Sequence, residues 1–453
     1  MTHRPQRTSF GVNYRKVYAA SVISNLGDGV AQIGYPWLAS AVTRNPILIA
    51  LVAVAQRLPW LLFTLPAGVI TDRLDRRKLI VVMDLIRGGF TLLVGISVLA
   101  LGSDLPSPDK VASVVGTRTL LYMILIVASL LLGMAEVLRD NSAQTIIPSI
   151  VSSDNLEKAN GRMWSAEMVT NTFIGPPLGS LLIAGAFFLP FAFDAVSFVA
   201  SAALVFLVVG QFRSKPTVAP EPTGVAAVSG AWKTELKEGV RWLWHHPLLR
   251  PMAIILGCLN AIGMLQAATL VLFAQEILHT SPIEFALLSM GGALGGVLGG
   301  YVAPAIRNKL GSGPSLWLTL GATALTPIPI GLTSWWPLVF AMFAITMLVG
   351  IVWNVITVSL RQTIIPDHLL GRVNSVYRFF AWGMMPIGTA IGGATVALIE
   401  PSWGREAALR APWFVAAASG VVLIVYAVPR LTSQRLDDAR AEGIAARSSQ
   451  SVG

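Results

Sequence analysis

The stretch "PAGVITDRLDRRKLI" (residues 66–80) places six charged residues within seven positions, between two apolar segments of the chain. One charged side chain at the centre of a membrane helix costs about 2.5 to 3.5 kcal/mol, so charges this dense cannot enter lipid. The stretch therefore predicts a loop at the membrane surface that joins two spanning helices. Its charged residues are Asp72, Arg73, Asp75, Arg76, Arg77 and Lys78.

The whole chain has the composition of a membrane protein. Of its 453 residues, 54% are hydrophobic and 12% are charged, and the mean hydropathy is +0.67. This is more apolar surface than a soluble core of this length needs. Apolar windows of about 20 residues, the length that crosses a bilayer, predict an all-α protein with twelve transmembrane helices. The windows are 17–42, 46–70, 79–101, 118–138, 160–187, 189–210, 248–275, 281–303, 315–333, 335–358, 372–398 and 411–429.

Basic residues predict the orientation, because loops rich in Lys and Arg stay in the cytoplasm. With the N-terminus inside, all but eight of the 33 Lys and Arg residues fall in cytoplasmic segments. Both termini are therefore predicted to be cytoplasmic, in a multi-pass protein of the cell inner membrane. The formal charge of +10 follows from this bias, so nucleic-acid binding is not needed to explain it. The eight others are Arg44, Lys110, Arg118, Arg405 and Arg410 in outer loops and Arg57, Arg87 and Arg378 within spans.

An internal repeat divides the spans six and six. "QTIIP" occurs at 144–148 and at 362–366, "LEKAN" (156–160) corresponds to "LGRVN" (370–374), and "GPPLG" (175–179) corresponds to "GTAIG" (388–392). The order is the same in both halves, which indicates a parallel duplication of a six-span unit, one way in which transporters are built. The predicted domains are a six-helix bundle (1–210), a cytoplasmic linker with an amphipathic helix (211–247), a second six-helix bundle (248–430) and a cytoplasmic tail (431–453).

The charged loop has a helical spacing as well as a charge. Asp72 follows Gly68 by four residues and precedes Arg76 by four, which places the three on one face of a helix. Asp72 could then accept hydrogen bonds from a neighbouring helix end while Arg76 pairs with it. We expect such a clasp to hold the inner face closed in one conformation and to release it in another.

This loop resembles the loop 2–3 signature of the major facilitator superfamily. "NLGDGV" (25–30), "FDAVSF" (193–198) and "EGVRWLWHHPLLR" (238–250) resemble the drug-efflux branch that includes macrolide-efflux proteins and the enterobactin exporter. The resemblance implies the major facilitator fold, with two pseudo-symmetric six-helix bundles. It assigns the conformational gate to Gly68, Asp72, Arg73, Arg76 and Arg77.

A second motif resembles a signature of the superfamily's antiporters. "GPPLG" in span five places Gly175, Pro176, Pro177 and Gly179 within five positions. Its prolines and glycines are also expected to bend and pack the helix. The resemblance favours export over import.

Carboxylates within spans are the best functional candidates, because buried charges are costly and rare in membranes. Asp28 lies near the middle of span one, flanked on one helical face by Asn25 and Gln32. Glu136 closes span four and Glu167 lies inside span five. All three are candidates for proton coupling.

Structural roles remain open for the same residues. Asp28 could pair with Arg57 of span two, and the two glutamates could pair with inner-loop arginines such as Arg139 and Arg162. Asp84 and Arg87, three apart in span three, could form an ion pair or contact substrate, as could Arg57. Asp194 is expected to cap the outer start of span six.

The glycines of "GGALGGVLGG" (291–300) recur at every fourth position of span eight and predict close helix packing. The chain has one cysteine and carries no nucleotide-binding, zinc or nucleophile motif, which argues against a pump driven by ATP and against an enzyme.

These features together predict a secondary active exporter: a proton-coupled antiporter of amphipathic small molecules, such as drugs or siderophore-like compounds. Its partners are the substrate, protons and the lipid bilayer, without a cofactor, a metal or a nucleic acid, and we expect a monomer. The alternatives are uptake or facilitated diffusion, and a membrane receptor or scaffold that kept the fold without transport.

Overall fold

A computed structural model describes residues 10–63, 66–67, 70–71, 74–152, 155–210, 212 and 237–450. Helices make up most of these residues, and the chain divides into two compact units. Unit one comprises Met1–Pro216 with Thr280–Leu287, and unit two comprises Thr217–His279 with Leu288–Gly453. The all-helical fold predicted from composition is confirmed.

Helices of the described residues coincide with the apolar windows of the sequence. Eight helices in this part of the chain are long and apolar enough to cross a membrane. One of the eight segments, Phe379–Ala427, is 49 residues long, about twice what one crossing needs. The count of twelve spans stays a prediction.

Unit one begins with helices whose ends follow from local sequence. Asn45 accepts hydrogen bonds from the backbone N–H groups of Ile47 (2.9 Å) and Leu48 (3.3 Å), and Pro46 occupies the first helical position, so α2 starts there. Asp75 caps α3 in the same way, through the N–H of Lys78 (3.1 Å). The helices are α1 (Val12–Val42), α2 (Pro46–Leu62), α3 (Arg76–Leu101), α4 (Thr119–Ile150), α5 (Leu156–Glu167), α6 (Gly175–Gly185) and α7 (Leu189–Phe206).

A π-helical segment, Met168–Ile174, joins α5 to α6. At its end the N–H of Gly175 donates to the carbonyl of Thr170, five residues earlier. Pro176 and Pro177 follow and have no N–H to donate, so the α-helical hydrogen-bond pattern cannot run through this point. The predicted irregularity of span five is therefore present.

In unit two the last two predicted spans form one helical run, α15, of 61 residues. Gly404 breaks this run with a φ of 79°, a conformation that favours glycine. The helices are α8 (237–245), α9 (Leu249–Ala267), α10 (Leu270–Glu276), α11 (Pro282–Leu310), α12 (Ser312–Leu325), α13 (Pro327–Leu332), α14 (Trp336–Ile364), α15 (Asp367–Ala427) and α16 (Ser433–Gln450).

Every fourth glycine of α11 packs against the backbone of α14. A Cβ on Gly291 would lie 2.5 Å from the carbonyl oxygen of Phe340, and one on Gly299 would lie 2.6 Å from that of Leu348. By contrast, a Cβ on Gly292 or Gly300, which lie on another face, would have nothing within 4 Å. The predicted close helix packing is present on one face of the repeat.

Residues 431–453 were expected to be a tail, but most of this segment forms α16, which packs on unit two. Leu436 is buried in the core, and Gly443 lies against the backbone of Thr363 at the end of α14. Ser433 Oγ accepts a hydrogen bond from the N–H of Gly313 (3.2 Å). The apolar residues Leu431, Leu436 and Ala439 in this polar segment indicate in the sequence that one face of it is packed.

A histidine caps the helix that starts at the expected cytoplasmic surface. His246 Nδ1 accepts hydrogen bonds from the N–H groups of Leu248 (3.2 Å) and Leu249 (3.1 Å), at the start of α9. Burial lowers the pKa of His246. The apolar stripe that makes the linker helix amphipathic in sequence consists of Trp232, Leu236, Val240 and Leu243. The first two lie outside the described residues, and on α8 Val240 is exposed whereas Leu243 is buried.

Candidate functional site

An ion pair joins the middle of α1 to α3. Arg87 Nη2 donates to Asp28 Oδ1 at 2.5 Å. The arginine side chain is 4% exposed, whereas that of Asp28 is 28% exposed. The guanidinium also lies 4.1 Å from the centre of the Phe198 ring on α7. The partner of Asp28 is therefore Arg87, and the alternative pair with Arg57 is not formed.

The pair continues into a chain of charges across α3 and α4. Asp84, fully buried, lies 3.8 Å from Arg87 Nη1 and 3.4 Å from Arg139 Nε, so the predicted pair of Asp84 and Arg87 is present but shared. Ser201 Oγ on α7 donates to Asp84 Oδ2 at 2.7 Å. Arg139 Nη1 in turn donates to Asp140 Oδ1 at 3.1 Å. Removal of one partner from a buried pair commonly costs about 3–5 kcal/mol of stability. This series of ion pairs therefore holds α1, α3 and α4 together.

The two other predicted carboxyl groups lie around the same arginines. Glu136, half-buried on α4, interacts electrostatically with Arg87 and Arg57. Glu167, at the end of α5, interacts with Arg139. The contacts made by Arg139 itself are with aspartates, and Arg162 lies over the ring of Phe10 at 4.7 Å. The structure thus brings all three candidates for proton coupling into one region of unit one.

A cavity of about 170 Å³ borders this network. Asn25 on its wall precedes Asp28 by three residues and therefore lies about one turn away on α1. A polar cavity of this size has room for several water molecules. Most of its lining residues belong to α1, α4 and α5, and Arg139 is one of them. The polar lining residues are Ser21, Asn25, Arg139, Asp140, Gln144, Asn160 and Glu167.

Span five approaches span one beside Asp28. A Cβ on Gly175 would lie 2.5 Å from Gly29 Cα, and one on Gly179 would lie 2.6 Å from the carbonyl oxygen of Val30. Gln32 Nε2 donates to Asn171 Oδ1 in the π-helical segment. Asn25 and Gln32 therefore have separate partners, because Asn25 donates to the carbonyl of Ser21 on its own helix (2.8 Å).

Only part of the predicted gate is described. Gly68, Asp72 and Arg73 lie outside the described residues. Arg76 Nη1 donates to the carbonyl of Thr145 on α4 (2.9 Å), and Arg77 Nη1 donates to that of Val208 after α7 (2.6 Å). These arginines tie the start of α3 to α4 and to the end of α7, where a cation is favourable beside the carbonyl groups that end a helix.

Asp194 is not where the sequence was expected to place it. It lies five residues inside α7, is 2% exposed and faces Gly27 of α1, so the expected role as a cap at the start of the helix is wrong. Arg139 and Asp140 were not predicted as site residues. Their burial depends on how α4 packs against α3, which a charged pair near a span end does not reveal. Among the residues that the structure describes, no group of three or more His, Cys, Asp or Glu could hold a metal ion.

Comparisons with known proteins agree with the fold. A family profile described as transmembrane secretion effector matches residues 9–444. The multidrug efflux pump Tap of Mycolicibacterium fortuitum is 25% identical over 386 residues, which cover 83% of this chain and 87% of that protein. The enterobactin exporter EntS of Escherichia coli O1:K1 / APEC is 25% identical over 418 residues, 92% of this chain and 90% of that protein.

A solved structure, that of a bacterial homologue of the iron transporter ferroportin in an inward-facing state, superposes with a TM-score of 0.68. It shares 16% identity and covers 93% of this chain and 98% of its own, so the likeness concerns the fold alone. The profile spans nearly the whole chain, and the two relatives are named as an efflux pump and an exporter. The chain therefore belongs to the transmembrane secretion effector family of major facilitator superfamily transporters.

Proposed function

We propose that this protein exports amphipathic small molecules in exchange for protons. The observation that carries the proposal is the ion pair of Asp28 and Arg87. The carboxylate lies in the middle of a spanning helix and is 28% exposed, so it is the accessible member of the pair and can accept a proton, whereas Arg87 is 4% exposed. The names of the two relatives, a multidrug efflux pump and an enterobactin exporter, support export and an amphipathic or siderophore-like substrate.

Protonation of Asp28 changes the contact between α1 and α3. The neutral carboxyl group no longer attracts the Arg87 guanidinium as an ion does, so the charge that links the two helices at this point is lost. α1 is also the helix that meets α6 through glycines, where two backbones can slide without side chains between them. A change of protonation at Asp28 thus acts on a helix whose backbone is in direct contact with that of α6.

The energy available is sufficient for accumulation. The membrane potential supplies about 2.3 kcal/mol per elementary charge per 100 mV. Since about 1.36 kcal/mol corresponds to a tenfold change, one proton could concentrate a neutral substrate by several tens of fold. Arg76 and Arg77, which tie helix ends together, belong on this account to the closed arrangement of the gate, with Asp72 as their expected partner on the loop.

The test uses purified protein in liposomes with an acidic lumen and a pH dye enclosed. Ethidium, an amphipathic cation, or a catecholate siderophore is added outside, and we expect proton exit from the lumen to accompany its entry. Asp28→Asn keeps the size of the side chain but cannot lose a proton, so exchange should stop while ethidium binding survives. Asp104→Asn makes the same change on an exposed carboxylate and should exchange like wild type.

Two results would contradict the proposal. Proton entry together with the substrate would indicate uptake by symport, and full exchange by Asp28→Asn would place the coupling group elsewhere, with Glu136 and Glu167 next to test. The proposal also includes a monomer in the cell membrane with both termini in the cytoplasm. Its oligomeric state can be measured on the same preparation by light scattering.

A further inference from the structure

Within the part of the chain that the structure describes, Asp194 is a buried carboxyl group without a cation of its own. The residue is 2% exposed, in the part of α7 that packs on α1. Gly27 makes room for it, because a Cβ at Gly27 would overlap both Asp194 Oδ1 and Ser197 Oγ. Arg87 on α3 packs against the same helix, but it is paired with Asp28 at 2.5 Å and lies on the ring of Phe198.

The hydrogen bonds at this carboxyl group suit its protonated form. Ser197 Oγ donates to the backbone carbonyl of Asp194 at 2.8 Å, and its distance to Asp194 Oδ1 is 3.4 Å. A hydroxyl group has one hydrogen, so the short bond to the carbonyl leaves at most a weak, shared donation to Asp194 Oδ1 at 3.4 Å, and the lone pairs of Ser197 Oγ can still accept a hydrogen bond. An ionised carboxylate needs donors, whereas a carboxylic acid can donate to such an oxygen. Burial of an unpaired charge also costs so much that the group takes up a proton instead.

Arg87 packs on the face of α7 that also carries Asp194. Phe198, on which its guanidinium stacks, follows Asp194 by four residues, and positions four apart share a helix face with Cβ atoms about 5–6 Å apart. The titratable and charged groups that act on Asp194 are Asp28 and Tyr35 on α1 and Asp84 and Arg87 on α3.

We infer that Asp28 and Asp194 share one proton and that Arg87 pairs with whichever of them is ionised. While Asp28 holds Arg87, the proton is on Asp194. Transfer breaks the O–H bond at Asp194 and forms one at Asp28, the guanidinium moves to Asp194, and the net charge of the three groups does not change. Asp194 is thus a second proton-binding residue, and its role in transport rests on the proposed proton coupling.

Infrared spectroscopy of the full-length protein in a detergent without ester groups, such as dodecyl maltoside, tests this without substrate or gradient. A protonated carboxyl group has a C=O stretch that ionised carboxylates lack. In wild-type minus variant difference spectra, which cancel the bands of other protonated carboxyl groups, the Asp194 band is expected in wild type and absent in Asp194→Asn. It should also be absent in Asp28→Asn, because this variant imitates protonated Asp28, frees Arg87 and so ionises Asp194. Asp104→Asn, on a carboxylate that is 81% exposed, is the matched control and should keep the band.

Ser197→Ala supplies a second measurement in case a carboxyl variant does not insert. Loss of the acceptor oxygen should shift the band of Asp194 to higher frequency and leave its intensity unchanged. No difference between wild type and Asp194→Asn, a band that persists in Asp28→Asn, or an unshifted band in Ser197→Ala would overturn the shared proton. These results are independent of transport. A failure of proton exchange with the bands as expected would overturn the proposed function alone.

Discussion

Gly29 on α1 and Gly175 on α6 meet with their backbones in contact: a Cβ on Gly175 would lie 2.5 Å from Gly29 Cα and 2.7 Å from Gly29 C. The contact lies one residue from Asp28, in the part of the molecule where protonation is proposed to act. A methyl group has no space there unless the two helices move apart.

Gly175→Ala is accordingly expected to weaken unit one. Overpacking of a close contact typically costs about 1–3 kcal/mol, so the thermal midpoint in detergent should fall. The control is Gly161→Ala on α5, where nothing lies within 4 Å of a Cβ and the change should be neutral or slightly stabilising. Equal midpoints for Gly175→Ala and wild type would show that α1 and α6 are not held at this distance.

The gate can be tested at Asp72. Asp72→Asn keeps the side-chain size and all neighbouring cations, so insertion and orientation should be unchanged while transport falls sharply. Transport in the liposome assay and surface accessibility of engineered cysteines measure the two effects separately. Export at the wild-type rate would leave the loop with a topological role only, and the clasp would be discarded.

Topology can be measured with reporter fusions. Fusions after Arg213 and at the C-terminus should report the cytoplasm, whereas one near Lys110 should report the outside, because the positive loops predict both termini inside. The C-terminal fusion belongs after residue 450, since α16 packs on unit two. An outside signal at either terminus would contradict the orientation and the count of spans.

The cap at His246 should give stability a pH dependence. Its pKa is lowered in the folded protein from an ordinary value of 6.5. Above this value the imidazole is neutral in both states and the cap is complete. As the pH falls below 6.5, His246 binds a proton in the unfolded state more readily than in the folded state, so the folded state loses stability.

The matched variant is His246→Asn, whose amide oxygen can accept the same bonds without titrating. A helix cap is worth about 1 kcal/mol. The thermal midpoint of wild type should therefore fall more than that of the variant between about pH 7.5 and about pH 5.5. His245→Asn, on the exposed neighbour, controls for the loss of a histidine. Parallel curves for wild type and His246→Asn would exclude the cap as the cause.

The sequence predicted the helices and the region of the site, but not how the charges pair. Apolar windows and glycine spacing are read directly from local sequence. The helices, and the helix face that Gly291 and Gly299 share, could therefore be predicted. The partner of Asp28 could not be predicted, because both Arg57 and Arg87 are within spans. Only the packing of α3 against α1 selects between them. Asp194 was misplaced for a similar reason: the start of a helix at Leu189 decides whether residue 194 caps it or is buried.

The π-helical segment before Gly175 has a consequence for the direction in which α6 faces. A wide turn of this kind accommodates one residue more than an α-helical turn, and each residue in a helix corresponds to a rotation of about 100°. Gly175 and Gly179 therefore face α1 in a register that an uninterrupted helix would not give. If the wide turn became an ordinary one, α6 would turn about its own axis by more than a quarter of a revolution and present different side chains to α1. Span five thus contains the means to exchange one contact face for another by twisting rather than by tilting.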